Sequence, residues 1–480
     1  MTCRPPQYVQ GLSSLGLEVS LENLPVTGRF PSWLTGTLIR NGPAKFEVGN
    51  ESYRHWFDGL AMLHKFSFRN GRVSYANRFL DTGDFRETAE EGRITRREFA
   101  TDPCRTIFGR VMAMFVSGAT DNANVNISVL ADRCVALAET SLPITFDPAT
   151  LRSTGVFDPE THPTGQLTTA HPHLDFSRRL SLNYWTRIGR QSCYDILAID
   201  DAGAPRLIRS LPVDRPAYMH TFAVTERYVI LAEFPLVVNP LRLLLSGRPF
   251  IENFRWEPER GTRFWVVSKD NGRIVTTHKA DAFFAFHHVN AFERGDDIVL
   301  DISAYPDPGI IESYYLKNLR NGVDIPTPEL RRYHLERKKH SCSHEVLSSG
   351  NLELPRINYR RNSAREYQYT YGVGTRRPRN FMDELVKVDV RSGGRRTWFE
   401  DGTYPGEPVF VASPAASRED EGVILAVVLD GRSGTSFLLA LDADTFEELG
   451  RAIVPHHIPL GFHGQYVTGK SVWDEPHLHR

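Results

Sequence analysis

The run LAMLHKFSF (Leu60–Phe68) leads through the triplet RNG (Arg69–Gly71) into a second run, RVSYA (Arg72–Ala76). Both runs are apolar or alternating, which is typical of β-strands, and Asn-Gly between two such runs is a strong hairpin signal. Helical periodicity is scarce in the rest of the chain. These observations predict a fold built from short antiparallel strands.

Five further strand-like runs each close on an aspartate that is followed by a turn, because an aspartate can accept a hydrogen bond from the backbone two residues ahead. These residues are Asp147, Asp200, Asp270, Asp389 and Asp442, so the successive intervals are 53, 70, 119 and 53 residues. If the longest interval hides one degenerate copy, the chain holds about seven repeats, in the range of propeller blades. We therefore predict one all-β domain over residues 1–480, a β-propeller with long loops. A multi-sheet sandwich array is the alternative.

Composition excludes several functional classes. The 480 residues are 41% hydrophobic and 24% charged, with a net charge of −1, which is typical of a globular protein and gives no field for binding nucleic acid. Five scattered cysteines argue against a disulfide framework and for a reducing compartment. The N-terminus lacks a secretory pattern, and no apolar run is long enough to span a bilayer. We expect a cytoplasmic protein.

Two very apolar segments, residues 107–116 and 234–245, interrupt the strand pattern. They are either buried loops or helices, or a monotopic patch that dips into one leaflet, with Arg242 reaching the headgroups. The second reading predicts peripheral association with a membrane. Its candidate residues are Phe108, Met112, Phe115, Leu236, Val237, Leu241, Leu243, Leu244 and Leu245.

Four histidines stand beside apolar or aromatic residues, where an imidazole is costly to bury unless its nitrogens have partners. They are His171, His220, His287 and His463. We hypothesise that they converge on one metal. Four neutral imidazoles suit Fe, Zn, Cu or Ni and leave positions of an octahedron open. Neighbouring strand residues face opposite ways, so only one of His287 and His288 can point at a shared centre. His173 and His288 compete with their neighbours for the ligand roles, and we expect most of the remaining histidines, among them His55, His64 and His278, in loops or on the surface.

Three glutamates stand in apolar strand contexts: Glu139, Glu353 and Glu407. A carboxylate there is costly unless hydrogen-bonded, and metal-binding histidines usually donate their second N–H to a carboxylate or a carbonyl. These glutamates are therefore candidates for orienting the imidazoles.

In these motifs the sequence resembles the carotenoid cleavage oxygenase family. The likeness runs from about residue 20 to about residue 465. It includes LTGTLIRNGP (34–43), HWFDG (55–59), TAHPH (169–173), FHHVN (286–290), LELPRINY (352–359), GEPVFV (406–411) and FHG (462–464), all in the family's order.

The resemblance implies a seven-bladed β-propeller with a helical and loop cap over an axial Fe(II), one per chain. It implies cleavage of a conjugated C=C bond by O2 into two aldehydes. It assigns His171, His220, His287 and His463 as ligands and pairs Glu139, Glu353 and Glu407 with three of them. It also places Val125 near the open iron position and a membrane-facing entrance at the two apolar segments. We nominate no general acid or base.

Several features bear on the substrate. Phe283, Phe284, Phe286, Tyr305 and Phe462 are candidates for lining a tunnel that holds a rigid polyene. Stilbene-cleaving relatives need a lysine directly before the glutamate, where this chain has Ala138, and residues 66–268 contain no lysine. A carotenoid or apocarotenoid is therefore favoured.

The segment Ser313–Arg320 resembles the branch that cleaves carotene centrally to retinal and includes the retinoid isomerase. The alternatives are a stilbene-cleaving dioxygenase, a retinoid isomerohydrolase on the same iron scaffold and a non-catalytic interaction platform. No obligate protein partner is indicated.

Overall fold

Seven antiparallel sheets form the blades of a β-propeller, so the predicted fold class is confirmed. The computed structural model describes residues 6–103, 120–157, 165–339, 341–377, 379–469, 471 and 473. Phe108, Met112 and Phe115 lie outside these residues.

The blades use most of the strands. Blade 1 contains β1 (Ser20–Leu21), β3 (Gly36–Lys45), β6 (Leu60–Arg69), β7 (Arg72–Phe79) and β36 (Gly464–Val467). Blade 2 contains β8 (Asn126–Leu130), β9 (Arg133–Leu137), β10 (Ile144–Phe146) and β11 (Ser153–Val156). Blade 3 contains β12 (Leu167–Thr168), β13 (His173–Asp175), β14 (Leu180–Arg187), β15 (Ser192–Ile199) and β16 (Pro205–Val213). Blade 4 contains β17 (Ala223–Val224), β18 (Tyr228–Glu233), β21 (Thr262–Ser268) and β22 (Ile274–Ala280).

Blade 5 contains β23 (His288–Arg294), β24 (Asp297–Ala304), β25 (Glu329–Glu336) and β26 (Ser341–Asn351). Blade 6 contains β27 (Glu353–Arg356), β28 (Tyr369–Gly374), β29 (Glu384–Asp389) and β30 (Arg395–Trp398). Blade 7 contains β2 (Val26–Gly28), β31 (Thr403–Pro405), β32 (Val409–Ala412), β33 (Gly422–Asp430), β34 (Thr435–Asp442) and β35 (Glu448–Val454).

Both ends of the chain close the ring. In blade 1 the C-terminal β36 pairs with the N-terminal β3, and in blade 7 the N-terminal β2 pairs with β35. The innermost strands of neighbouring blades also contact each other around the axis, as β36 does with β8 and β32. The sheet edges that face the axis are therefore packed together.

The strand-and-aspartate repeat corresponds to one position in the blade. The predicted runs occupy the third strand from the axis in blades 2, 3, 4, 6 and 7, and the Asn-Gly hairpin follows the equivalent strand of blade 1. The 119-residue interval contains blade 5, whose third strand ends at Glu336 without an aspartate. Asp147 and Asp389 accept hydrogen bonds from the backbone two residues on, as predicted. In blade 4 Asn271 does so in place of Asp270.

Short helices and two small hairpins lie between the blades. The described α-helices are α1 (Gly83–Glu91), α2 (Pro240–Leu245), α3 (Gly309–Ser313), α4 (Leu316–Arg320) and α5 (Tyr359–Asn362). The described 3-10 helices are Gln7–Leu12, Trp56–Asp58, Ile251–Asn253 and Pro258–Arg260. The hairpins pair β4 (Glu47–Val48) with β5 (Glu51–Ser52), and β19 (Leu236–Val238) with β20 (Phe254–Trp256).

The apolar segment at 234–245 divides into a buried part and an exposed part. Leu236 and Val237 belong to β19 and are buried in the main core. They cannot contact a bilayer, so their predicted place in a membrane patch is wrong. Leu241 and Leu245, on α2, are 69% and 82% exposed. Leu243 is partly buried against the core, and nothing is described of the Leu244 side chain. Within the described part of the chain, no helix has the length and apolar character needed to cross a bilayer.

Three histidines expected in loops or on the surface are buried instead: His55, His64 and His278. His55 accepts a hydrogen bond from the Phe57 N–H at the start of a 3-10 helix, and its Nε2 lies 2.9 Å from the Ile311 carbonyl. Nδ1 of His64 lies 2.9 Å from the Tyr75 hydroxyl. The partners range from Phe57, two residues from His55, to Ile311, 256 residues away, so only part of this burial could be read from local sequence.

Candidate metal centre

Residues from all seven blades meet on the axis at the point where the innermost strands begin. Blades 1 to 7 contribute His463, Val125, His171, His220, His287, Glu353 and Glu407, in that order. Because each innermost strand starts at the same end of the ring, residues far apart in sequence become neighbours.

The structure brings the four candidate histidines into one cluster, with one ring nitrogen of each within 4.8 Å of the others. The Nε2 atoms of His171 and His220 are 3.0 Å apart, and those of His287 and His463 are 3.2 Å apart. His288, as strand alternation predicts, is outside this cluster, with its Nδ1 2.7 Å from the Thr221 hydroxyl.

Three of the imidazoles are held by the three candidate glutamates. The Nδ1–H of His220 donates to Glu139 at 2.6 Å. The Nδ1–H of His287 donates to Glu353 at 2.6 Å, and that of His463 donates to Glu407 at 2.8 Å. A carboxylate only accepts, so the proton is on Nδ1 in each ring and Nε2 presents a lone pair to the centre.

Lone pairs this close repel one another unless a cation lies among them. The donor set is four nitrogens without a thiolate, which suits a divalent transition metal such as iron. The residues present therefore fit the metal that the resemblance implies.

Other groups hold the glutamates, and sequence reasoning gave none of them this role. Glu353 also accepts from the Leu354 N–H at 2.6 Å and from the Tyr305 hydroxyl at 3.1 Å. Glu139 accepts from the Tyr218 hydroxyl at 2.9 Å. Tyr305 thus orients a glutamate, contrary to its expected place in a tunnel wall.

Glu407 has the most charged surroundings. Arg40 Nη1 donates to it at 2.6 Å while its Nη2 donates to the Phe462 carbonyl at 2.7 Å, and Arg356 Nη1 lies 3.6 Å from the same carboxylate. Arg40 and Arg356 belong to motifs that carried the family resemblance, which was the only sequence signal for them.

The electrostatics follow from burial and from these partners. Burial is the largest influence on the pKa of Glu353 and Glu407 and opposes ionisation, but the net pKa of each is below its ordinary value. His287 produces this net lowering at Glu353, and Arg356, His463 and Arg40 produce it at Glu407. Burial, followed by the neighbouring histidines, lowers the pKa of His171 well below its ordinary value. Burial lowers the pKa of His463 to about 4 despite Glu407.

The backbone around His463 requires glycine and fixes Val125. A Cβ on Gly464 would lie 2.4 Å from the Ile39 carbonyl oxygen, because β36 packs tightly against β3. The His463 N–H donates to the Val125 carbonyl at 3.2 Å. Val125 is thereby held beside the histidines, and its side chain lines the cavity above them.

A largely apolar cavity of about 310 Å³ ends at the histidines. His220, His287 and His463 form part of its wall together with Val125, Phe286 and Phe462. Phe283 and Phe284 are packed in the core behind it, so the lining differs from the one expected. Aromatic residues that were not among the candidates for the tunnel lining complete much of the wall: Trp56, Phe57, Phe99, Tyr218, Phe250 and Tyr314.

The sequence matches the family described as retinal pigment epithelial membrane protein over residues 13–468. A mitochondrial carotenoid-cleaving dioxygenase of Mustela putorius furo is 35% identical, and the match covers 92% of this chain and 93% of that protein. A beta,beta-carotene 15,15'-dioxygenase of Gallus gallus is 32% identical, with coverage of 94% and 96%.

Solved structures show the same architecture. A variant of the Synechocystis apocarotenoid oxygenase superimposes with a TM-score of 0.86 at 27% identity, covering 96% of this chain and 98% of that one. The cobalt-substituted form of the same enzyme gives an identical score, identity and coverage.

Proposed function

The chain belongs to the retinal pigment epithelial membrane protein family of carotenoid cleavage oxygenases, and on this premise we propose that it is an Fe(II)-dependent carotenoid or apocarotenoid dioxygenase. Its reaction would cleave one conjugated C=C bond with O2 to give two aldehydes. The observation that carries the proposal is an apolar cavity that ends at a cluster of four converging imidazoles, three of which form part of its wall.

His171, His220, His287 and His463 would hold the iron, with Glu139, Glu353 and Glu407 fixing three of the rings. Bound there, iron would supply the activation of O2 that side chains cannot. The protein's own contribution is to orient the polyene, to exclude water and to keep the imidazoles in one tautomer. Val125 lines the same cavity, and we propose that its side chain limits how closely a substrate double bond approaches the histidines.

The cavity wall supports a hydrocarbon polyene as substrate. Aromatic and aliphatic side chains bind a rigid apolar chain by burying its surface, and about 310 Å³ is at the lower end of ligand pockets, which span roughly 300–1,000 Å³. Ala138 lines the cavity beside Glu139, and none of the described wall residues is a lysine. This favours a carotenoid over a phenolic stilbene.

Central cleavage to retinal is the regiochemistry we propose. The segment Ser313–Arg320 supports it, because it carried the resemblance to that branch and its Tyr314 lies in the cavity wall. The avian relative named for 15,15' cleavage supports the same choice.

We also propose that the protein is cytoplasmic and that it attaches peripherally to a membrane through α2. Burying the exposed side chains of Leu241 and Leu245 in lipid lowers their free energy relative to water, and Arg242 can reach the lipid headgroups. The helix is followed closely by Phe250, which lines the cavity, so we place the entrance for a substrate dissolved in lipid on the side of α2.

The test is product analysis with iron-loaded protein under air. β-Carotene and a set of apocarotenals are supplied, and mass spectrometry identifies the aldehydes and hence the cleaved bond. His220→Ala should remove both iron and product. Protein that binds no iron, or that leaves every polyene intact, contradicts the proposal. Cleavage and isomerisation of a retinyl ester in the absence of oxygen would indicate an isomerohydrolase.

A further inference from the structure

A second cavity, of about 220 Å³, lies on the propeller axis on the other side of the four histidines. Residues that follow the histidines along the innermost strands line it. The apolar cavity is lined by residues that precede the histidines and by helices and loops that lie between the blades. His287 and His463 border both cavities. His220 borders only the apolar cavity, and His171 borders only this axial cavity. The histidine cluster therefore separates two chambers.

The wall of the axial cavity is much more polar than that of the apolar cavity. It includes Asn126, Ser128, His173, His288 and Gln465. Nδ1 of His173 lies 2.9 Å from the Tyr359 hydroxyl, and its Nε2 lies 3.0 Å from the Phe222 carbonyl. The lining continues to Thr468, which is exposed. A hydrated ion would find hydrogen-bonding partners along this wall.

His171, which borders the axial cavity, is the one clustered histidine without a glutamate. Its Nδ1 lies 3.4 Å from Asn126 Nδ2. That amide is oriented by its other bonds, since Nδ2 donates to the Ala170 carbonyl and Oδ1 accepts from the Ile127 N–H. An amide N–H can only donate, so Nδ1 accepts from Asn126 while no metal is bound. Once Nε2 binds a metal, Nδ1 carries the proton and needs an acceptor from the cavity. No carboxylate fixes this ring in one tautomer, unlike the other three.

His288 also lines this chamber. The Thr221 hydroxyl donates to the Phe286 carbonyl at 2.7 Å, so it accepts from His288 Nδ1–H, also at 2.7 Å. The proton is then on Nδ1, and Nε2 carries a lone pair. That buried Nε2 has no hydrogen-bond partner among the described residues. A neutral imidazole with a free lone pair is a ligand for a divalent transition metal.

We propose that the axial cavity is the route by which a hydrated divalent metal ion reaches the four histidines, with His288 binding it on the way. This inference rests on the proposed metal centre. Moving a dication through the apolar cavity would cost several kcal/mol, because its water could not be replaced by polar groups. The axial cavity holds the volume of about seven waters, at roughly 30 Å³ each, which accommodates an ion with its hydration shell.

The experiment measures how fast Co²⁺ binds to metal-free, full-length protein, followed by the visible absorption of the bound ion. Ser128 is the position to change, because it is on the same face of β8 as Asn126 and lines the axial cavity. Ser128→Leu should slow binding roughly tenfold or more, equivalent to about 1.4 kcal/mol of barrier, with the final stoichiometry unchanged. Ser128→Ala, the matched control, should bind at the wild-type rate.

Two further measurements of the Co²⁺ binding rate test the route independently of Ser128. His288→Asn retains a donor for Thr221 and removes the free nitrogen, so it should also slow binding without changing the occupancy reached. Filling the apolar cavity with a long-chain alkyl detergent should leave the rate unchanged. Wild-type rates in both Ser128→Leu and His288→Asn, or a rate that the detergent abolishes, would overturn the route. If the wild-type protein binds no Co²⁺ at all, the metal centre itself is refuted.

Discussion

Replacing Glu407 with glutamine removes one negative charge from the most highly charged part of the site while keeping the shape of the side chain. Glu407 and Arg40 are 1% and 7% exposed, and they are joined by a 2.6 Å bond. Leaving one partner of a buried pair without its counter-charge costs about 3–5 kcal/mol. The hydrogen bond to His463 also changes from charge-assisted to neutral, which loses about 1 kcal/mol or more of orientation energy at that ring.

We therefore expect Glu407→Gln to lower the free energy of unfolding by about 3–5 kcal/mol and iron affinity by roughly 10–100-fold. Glu353→Gln is the matched control. Glu353 orients His287 in the same way, but its other partners are a backbone N–H and a tyrosine hydroxyl, not an arginine. The Glu353→Gln variant should lose iron affinity by a similar factor, but its free energy of unfolding should fall much less. Urea unfolding of the metal-free proteins and competitive chelation measure the two quantities separately.

Two outcomes would refute this reasoning. If Glu407→Gln unfolds at the wild-type urea concentration, Arg40 does not depend on the carboxylate for its burial. If Glu353→Gln retains iron as well as the wild type does, the glutamate does not act on the metal through His287.

Three other outcomes are expected. The pKa of Glu407 is lowered in the folded protein, so its carboxylate contributes fully to the free energy of unfolding above its ordinary pKa of 4.5. That contribution is lost as the pH falls below 4.5. The free energy of unfolding measured during an acid titration should show this loss, and Glu407→Gln should lack it. Val125→Phe should fill the cavity beside His463 and reduce aldehyde formation severalfold with iron content unchanged. The control, Val125→Ala, should retain substrate binding. Loss of iron from Val125→Phe would show that Val125 has a structural role instead. Leu241→Asp with Leu245→Asp should weaken binding to phospholipid vesicles by 100-fold or more, since each buried leucine contributes roughly 1.5–3 kcal/mol, and persistent binding measured by flotation would exclude α2 as the contact.

The fold was predictable because its signals are local. A turn aspartate and an Asn-Gly pair act on residues two or three positions away, so they are readable in any short window of sequence. Their recurrence gave about seven units, and the interval that seemed to hide a copy contains blade 5. The lining of the cavity was only partly predictable. Phe286 and Phe462 reach it, but Phe283 and Phe284 do not, because all four lie in connections between strands, whose packing local sequence does not specify.

The sequence by itself determined that short strands must form and which imidazoles and carboxylates would be costly to bury alone. Only the tertiary structure decided their partners: Glu139 is 81 residues from His220 in sequence, and Arg40 is 367 residues from Glu407. Only the tertiary structure, likewise, buried Leu236 and exposed Leu241, and left a polar chamber beneath His171. The physical reason is that closing the ring sets the start of every innermost strand on one axis. Proximity there depends on the position within a blade and not on separation along the chain.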